Sequence, residues 1–200
     1  MTPITATELP GLTGEVSFPR FSEAEFQRRF QLVRALMQQQ DVQALLIHAP
    51  GIGVGTIHYL SNYLQGSPAW LVFPLDGESS LLTHFYNHIP CAKHMGIVED
   101  VQCYWPSAAQ SLAANLRGRG IGRGRVGVVG LSSSIPYAQF TALEQLMPEV
   151  EFADLGRAYN DIRWLRSQEE LAWIRQSAYL TDLCCEMLER RIKPGLTEFD

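Results

Sequence analysis

The stretch THFYNHIPCAKH, residues 83–94, gathers His84, His88, Cys91 and His94. Wound as a helix, it places His84, His88 and Cys91 on one face at i, i+4 and i+7. Two imidazoles and a thiolate would suit zinc with one coordination position open. Against that, Pro90 interrupts a helix between His88 and Cys91, and the stretch holds no carboxylate to orient the imidazoles. Ordinary surface or half-buried histidines are the competing reading. A serine nucleophile needs a base and an orienting acid. Ser132 to Ser134 lack the Gly-x-Ser-x-Gly elbow, and spacing assigns them no histidine.

One other stretch invites two readings. GRGIGRGRVGVVG opens with Gly118, Gly120, Gly122 and Gly124, but a dinucleotide loop follows a strand and opens a helix. Here the glycines precede the strand. The arginines of this stretch and its flank, Arg117, Arg119, Arg123 and Arg125, read as a nucleic-acid loop or as a solvated connection into a strand. The net charge of −5 favours the connection, and no nucleic acid is expected as a partner.

These residues need elements to hold them. At 200 residues and 46% hydrophobic, the chain can bury a proper core. The first 20 residues, rich in Pro and Gly, read as an irregular arm without the basic start of a signal peptide. No run approaches the ~20 apolar residues that span a bilayer, so no membrane is expected. Cys91, Cys103, Cys184 and Cys185 show no CxxC spacing and read as free thiols in a reducing cytoplasm.

From residue 21, helix and strand signals alternate. Ser22 and Glu25 form a capping box before Phe26, Phe30, Val33 and Met37 at helical spacing. VQALLIHA, residues 42–49, has strand length. IHYLSNYL reads as a short helix or bend. Trp70 to Leu75 and Ser79 to Thr83 flank Asp76-Gly77 as a hairpin. Further strands are expected at 97–104, 125–130 and 150–155, with helices at 107–117 and 136–147. The fold class is α/β: a mixed sheet flanked by helices. Ser167 and Glu170 open a last helix, Gln168 to Arg191, of about 36 Å at ~1.5 Å per residue. Its stripe of Leu171, Ile174, Ala178, Cys185, Leu188 and Ile192 needs a partner beyond a small core.

Four segments in order resemble one family, the amino-terminal domain of the creatinase, prolidase and aminopeptidase P group, whose catalytic half has the pita-bread fold. They are FQLVRALMQQQDVQALL (Phe30 to Leu46), IHYLSNY (Ile57 to Tyr63), RVGVVG with the helix and strand through Asp154, and IRWLRSQEELAWIRQSA with IKPGLTEFD. The last pair is similar to the family's Arg-x-x-Lys-Ser-x-x-Glu-Ile hinge and Pro-Gly-x-Thr-Glu turn. Arg166 stands where lysine is usual, and Ser61-Asn62 where Thr-Gly is common.

The resemblance implies a domain over residues 21–162. It also implies that 163–200 is the hinge and first helix of a truncated catalytic half. The family's two Asp, one His and two Glu hold two divalent metals (Mn, Co or Zn), and creatinase itself works without metal. All five ligands lie downstream of this turn, so no catalytic residue is assigned to this chain. The implied role is oligomer contact, as a homodimer or higher homo-oligomer, and capping of the active site of a hydrolase acting on Xaa-Pro peptides or small amides. The implied substrate-access loop runs from Tyr63 through Gln65 and Ser67, with Trp70 behind it. The alternative is a non-catalytic module that binds a protein or peptide.

Overall fold

A computed structural model describes residues 20–51, 55–64, 66–197 and 199. The arm expected over 1–20 lies outside the described residues except for Arg20. Two compact units emerge, Met1–Ile162 and Arg163–Asp200.

The first unit is built on six strands: β1 (Ala44–Ala49), β2 (Ala69–Pro74), β3 (Ser80–Thr83), β4 (Asp100–Cys103), β5 (Gly124–Val129) and β6 (Val150–Asp154). Their order across the sheet is β4-β3-β2-β1-β5-β6. Only β2 runs against the rest, pairing antiparallel with β1 and β3, while β3–β4, β1–β5 and β5–β6 pair in parallel. Mixed pairing follows from the hairpin. Gly77 at φ +92° makes the turn after Asp76, a conformation that costs glycine little.

Both central strands are buried along their whole length, because helices cover both faces. Side chains alternate accordingly. Leu45, Ile47, Leu71 and Phe73 join one core with α1 (Glu23–Gln39), α2 (His58–Ser61), α3 (Ile89–Met95) and α6 (Gly156–Trp164). Ala44, Leu46, Trp70 and Val72 join the other with α4 (Ala108–Gly118) and α5 (Tyr137–Leu146).

Helix starts follow the expected capping chemistry. Ser22 accepts from the Glu25 N–H before α1, and Ser107 from the Gln110 N–H before α4. The buried face of α1 carries Phe26, Val33 and Met37, with Phe30 partly covered. It also buries Arg29. That guanidinium pairs with Glu25 at 2.8 Å and donates to the Tyr59 carbonyl at 3.0 Å. It lies 3.9 Å from the Phe21 ring and 4.6 Å from the Tyr59 ring. A buried cation needs such company, and here it ties α1 to α2.

Sequence patterning did not predict α6, which follows β6 directly. Its signal is thin, since Tyr159 and Ile162 alone mark an apolar side. Tertiary contact supplies the rest: the Tyr159 hydroxyl donates to the Thr56 carbonyl at 2.7 Å, and its ring meets Tyr59 edge-on.

In the second unit, α7 (Gln168–Arg191) has the span expected for it. Its capping box is complete: Ser167 accepts from the Glu170 N–H, and the Glu170 carboxylate accepts from the Ser167 N–H. Leu171 is partly covered, while Ile174, Leu188 and Ile192 of the same stripe are exposed, as are Tyr179, Leu180 and Met187.

Candidate functional site

Five strands point the same way, so their carboxyl ends gather along one edge of the sheet. In open α/β sheets, ligands bind outside that edge. Most of the side chains with chemical potential stand there: His48 in β1, His84 after β3, Trp105 after β4 and Ser134 after β5.

His84, His88 and Cys91 do not share a helix. The chain leaves β3 at Thr83, makes a 3-10 turn over Tyr86–His88, and starts α3 at Ile89 with Pro90 in its first turn. The proline sets a helix boundary where the metal reading needed a continuous helix. His84 Nδ1 is instead bonded to the Tyr104 hydroxyl at 2.8 Å, and His88 Nδ1 to Ser67 Oγ at 2.7 Å. Cys91 donates to the Met95 sulfur. Among the described residues, no group of three His, Cys, Asp or Glu side chains is placed to hold a metal ion. The two divalent ions implied by the resemblance therefore have no ligand set in these residues.

Rings surround the two imidazoles. Phe85 stands edge-on to His84 at 4.1 Å and to His88 at 5.7 Å, and Trp105 lies 5.5 Å from His84. Phe85, Tyr86 and Trp105 are exposed, at 47%, 70% and 58%. Three bare rings close together in the fold are more than scattered single apolar residues. Tyr104 beneath them is buried; burial, with Cys103 nearby, pushes its phenol up to about 12. It stays a neutral O–H at physiological pH.

The loop expected to govern substrate access buries two of its expected residues. Tyr63 is buried, because Asn62 adopts the left-handed conformation at φ +56° and turns the chain back into the core. Burial, then Cys91, raises its phenol above the ordinary value. Trp70 is buried too, since the alternation of β2 points it under α4 and α5. It packs 4.6 Å from His48, and its Nε1–H has no hydrogen-bond partner among the described residues. Gln65 lies outside the described residues. Of the expected set, Ser67 reaches the surface, and it holds His88.

One pair escaped sequence reasoning. His48 Nδ1 and Ser134 Oγ lie 3.0 Å apart across the ends of neighbouring parallel strands. Gly130 at φ +105° brings the two together; a Cβ there would meet Ser134 Oγ and His48. The signal was a single imidazole in the apolar strand ALLIHA. Burial lowers its pKa to about 4, so it is neutral. No carboxylate hydrogen-bonds to it among the described residues, so the pair lacks the third member of a triad.

Three of the four arginines of the connection bond protein acceptors, and the exposed Arg123 offers its carbonyl to Gln43. Arg117 donates to the Leu146 carbonyl, Arg119 to Asn115, Ser80 and the Glu78 carbonyl, and Arg125 to Glu151 and the Gln40 carbonyl. No described helix is long and apolar enough to cross a membrane.

Comparison with known proteins places this architecture. The model of the creatinase/prolidase N-terminal domain matches residues 29–167. An uncharacterized hydrolase/peptidase, y4tM, of Sinorhizobium fredii is 26% identical over 90% of this chain and 48% of its own length. The chain thus spans about half the length of that curated relative. The X-Pro aminopeptidase of Thermotoga maritima superposes with a TM-score of 0.70 at 16% identity, over 84% of this chain and 45% of that one. The N-terminal domain of the cytoplasmic peptidase PepQ from Mycobacterium tuberculosis superposes at 0.56 with 18% identity, over 68% of this chain and 98% of that domain.

Proposed function

The chain belongs to the creatinase/prolidase N-terminal domain family, and from that premise we propose that it is the amino-terminal part of a Xaa-Pro peptidase- or creatinase-like hydrolase. Its tasks are contact between copies of the protein and restriction of access to a catalytic pocket formed by further polypeptide. The family match, on a chain about half as long as its hydrolase relative, carries the reading. The bare apolar stripe of α7 supports it, since exposed Ile174, Leu188 and Ile192 are what a helix shows when its packing partner is additional chain.

On this reading, residues 163–200 begin the catalytic half, and any divalent metals (Mn, Co or Zn) sit on ligands beyond these residues. The 200-residue chain alone is inactive and works in the cytoplasm. Its access loop presents Leu64, Gly66 and Ser67 outward, while Tyr63 and Trp70 brace it from below.

The test compares the 200-residue chain with a gene product extended to the length of its relatives, using Xaa-Pro dipeptides and small amides as substrates. Hydrolysis by the extended form alone is expected, together with a dimer or larger assembly in sedimentation. An extended form that binds peptides and cleaves none would replace the hydrolase with the second reading, a non-catalytic peptide-binding module. The exposed rings of Phe85, Tyr86 and Trp105 favour that alternative.

A further inference from the structure

We propose that His84 and His88, framed by Phe85 and Trp105, form a binding site for the carboxylate end of a short peptide. Each imidazole commits Nδ1 to a protein hydroxyl and leaves Nε2 without a hydrogen-bond partner among the described residues. Tyr104 is buried and keeps its proton, and its hydroxyl has His84 Nδ1 as its sole hydrogen-bond partner among those residues. A buried hydroxyl must donate to something, so its proton goes to His84 Nδ1. With Nδ1 accepting, the ring's N–H is at Nε2, as a donor. Ser67 can fix His88 the same way. Both histidines are half-buried, so their free edges reach solvent while their orientations are held.

With Ser67 donating to His88 as Tyr104 does to His84, both rings present an Nε2–H donor beside Phe85, and Trp105 lies alongside His84. A carboxylate offers two acceptor oxygens to such a pair, and hydrogen bonds to an ionised acceptor are the stronger kind. The rings suit an apolar or proline side chain next to that carboxylate. Residues 84–88 together with Trp105 carry no Lys or Arg and no acid. A dianionic phosphate would thus go uncompensated there, and a monoanionic carboxylate would meet no repulsion.

That the ligand is a peptide rests on the reading in the previous section; the site itself does not. Binding is measured on the 200-residue chain, with Ala-Pro and its C-terminal amide as probes. The readouts are the imidazole nitrogen–proton correlations of His84 and His88 and the indole signal of Trp105, assigned with His84→Gln, His88→Gln and Trp105→Phe. Saturable shifts of all three are expected with the free acid, and affinity about tenfold weaker for the amide. Each glutamine variant should bind several-fold less well.

Equal affinity for acid and amide, or shifts confined to other residues, overturns the site. So does inorganic phosphate moving the same signals as strongly. The acid-against-amide comparison uses the unaltered chain and survives a variant that fails to fold. Loss of this binding beside hydrolysis by the extended form removes the site alone; intact binding without hydrolysis removes the hydrolase reading alone.

Discussion

Replacing His48 by glutamine should flatten the acid limb of this protein's stability. The imidazole is 4% exposed, stacked 4.6 Å from Trp70 and bonded through Nδ1 to Ser134. Burial lowers its pKa from 6.5 to about 4. Between those values the unfolded chain binds a proton that the folded chain refuses, so stability falls as pH drops. The contribution is complete above about pH 6.5 and gone below about pH 4. A displacement of that size corresponds to roughly 3 kcal/mol, a large part of a typical domain's stability. Urea titrations at pH 7, 5.5 and 4, followed by far-ultraviolet circular dichroism, give the difference between the two proteins. Glutamine keeps a hydrogen-bonding group for Ser134 and cannot titrate, and the carboxylates form a common background. The original chain should lose about 3 kcal/mol more than the variant on going from pH 7 to 4. Parallel losses would refute the reasoning, because an imidazole that protonates equally well in both states is not desolvated.

Three further substitutions probe what holds each unit together. Arg29→Met leaves the Glu25 carboxylate, which is buried and retains Arg28, short of one partner; a loss of about 3–5 kcal/mol in urea midpoint analysis is expected, and less than about 1 would show the pair to be ornamental. Tyr159→Phe removes one donor from the Thr56 carbonyl and should cost about 1–2 kcal/mol by the same assay, with the apolar ring contact preserved. Ser167→Ala removes one half of the α7 capping box and should cost that helix about 1 kcal/mol, seen as faster hydrogen exchange at the Glu170 amide, with protection in the sheet unchanged.

Local signals located most of the fold. Ser22, Ser107 and Ser167 mark three helix starts because a hydroxyl one turn ahead of an apolar stripe satisfies an otherwise bare N–H. Asp76-Gly77 marks the hairpin because glycine tolerates the positive φ of the turn. Elements with weak local grammar were less legible. The strand expected over 97–104 shrinks to Asp100–Cys103, since only that part meets β3. The helix α6 depends on Tyr159 reaching Thr56, more than a hundred residues earlier.

The candidate site was the least legible part, for the same physical reason. Local spacing put His84, His88 and Cys91 on one helix, and Pro90 began a new helix instead. Tyr63 and Trp70 looked available beside a loop, yet one backbone reversal at Asn62 and the two-residue alternation of β2 turned them inward. His48 meets Ser134, and His84 meets Tyr104, because β1 lies beside β5 and β4 beside β3. Strand order is set by which faces the whole chain can bury, a property of no short segment. The sequence by itself therefore determined most of the helices, the hairpin, the two-faced sheet and the family resemblance, all of which rest on near-neighbour chemistry. Only the tertiary structure decided which polar side chains stand together at the carboxyl edge and which are walled into the core. Those meetings join residues from 20 to 86 positions apart, and packing alone brings them within hydrogen-bonding reach.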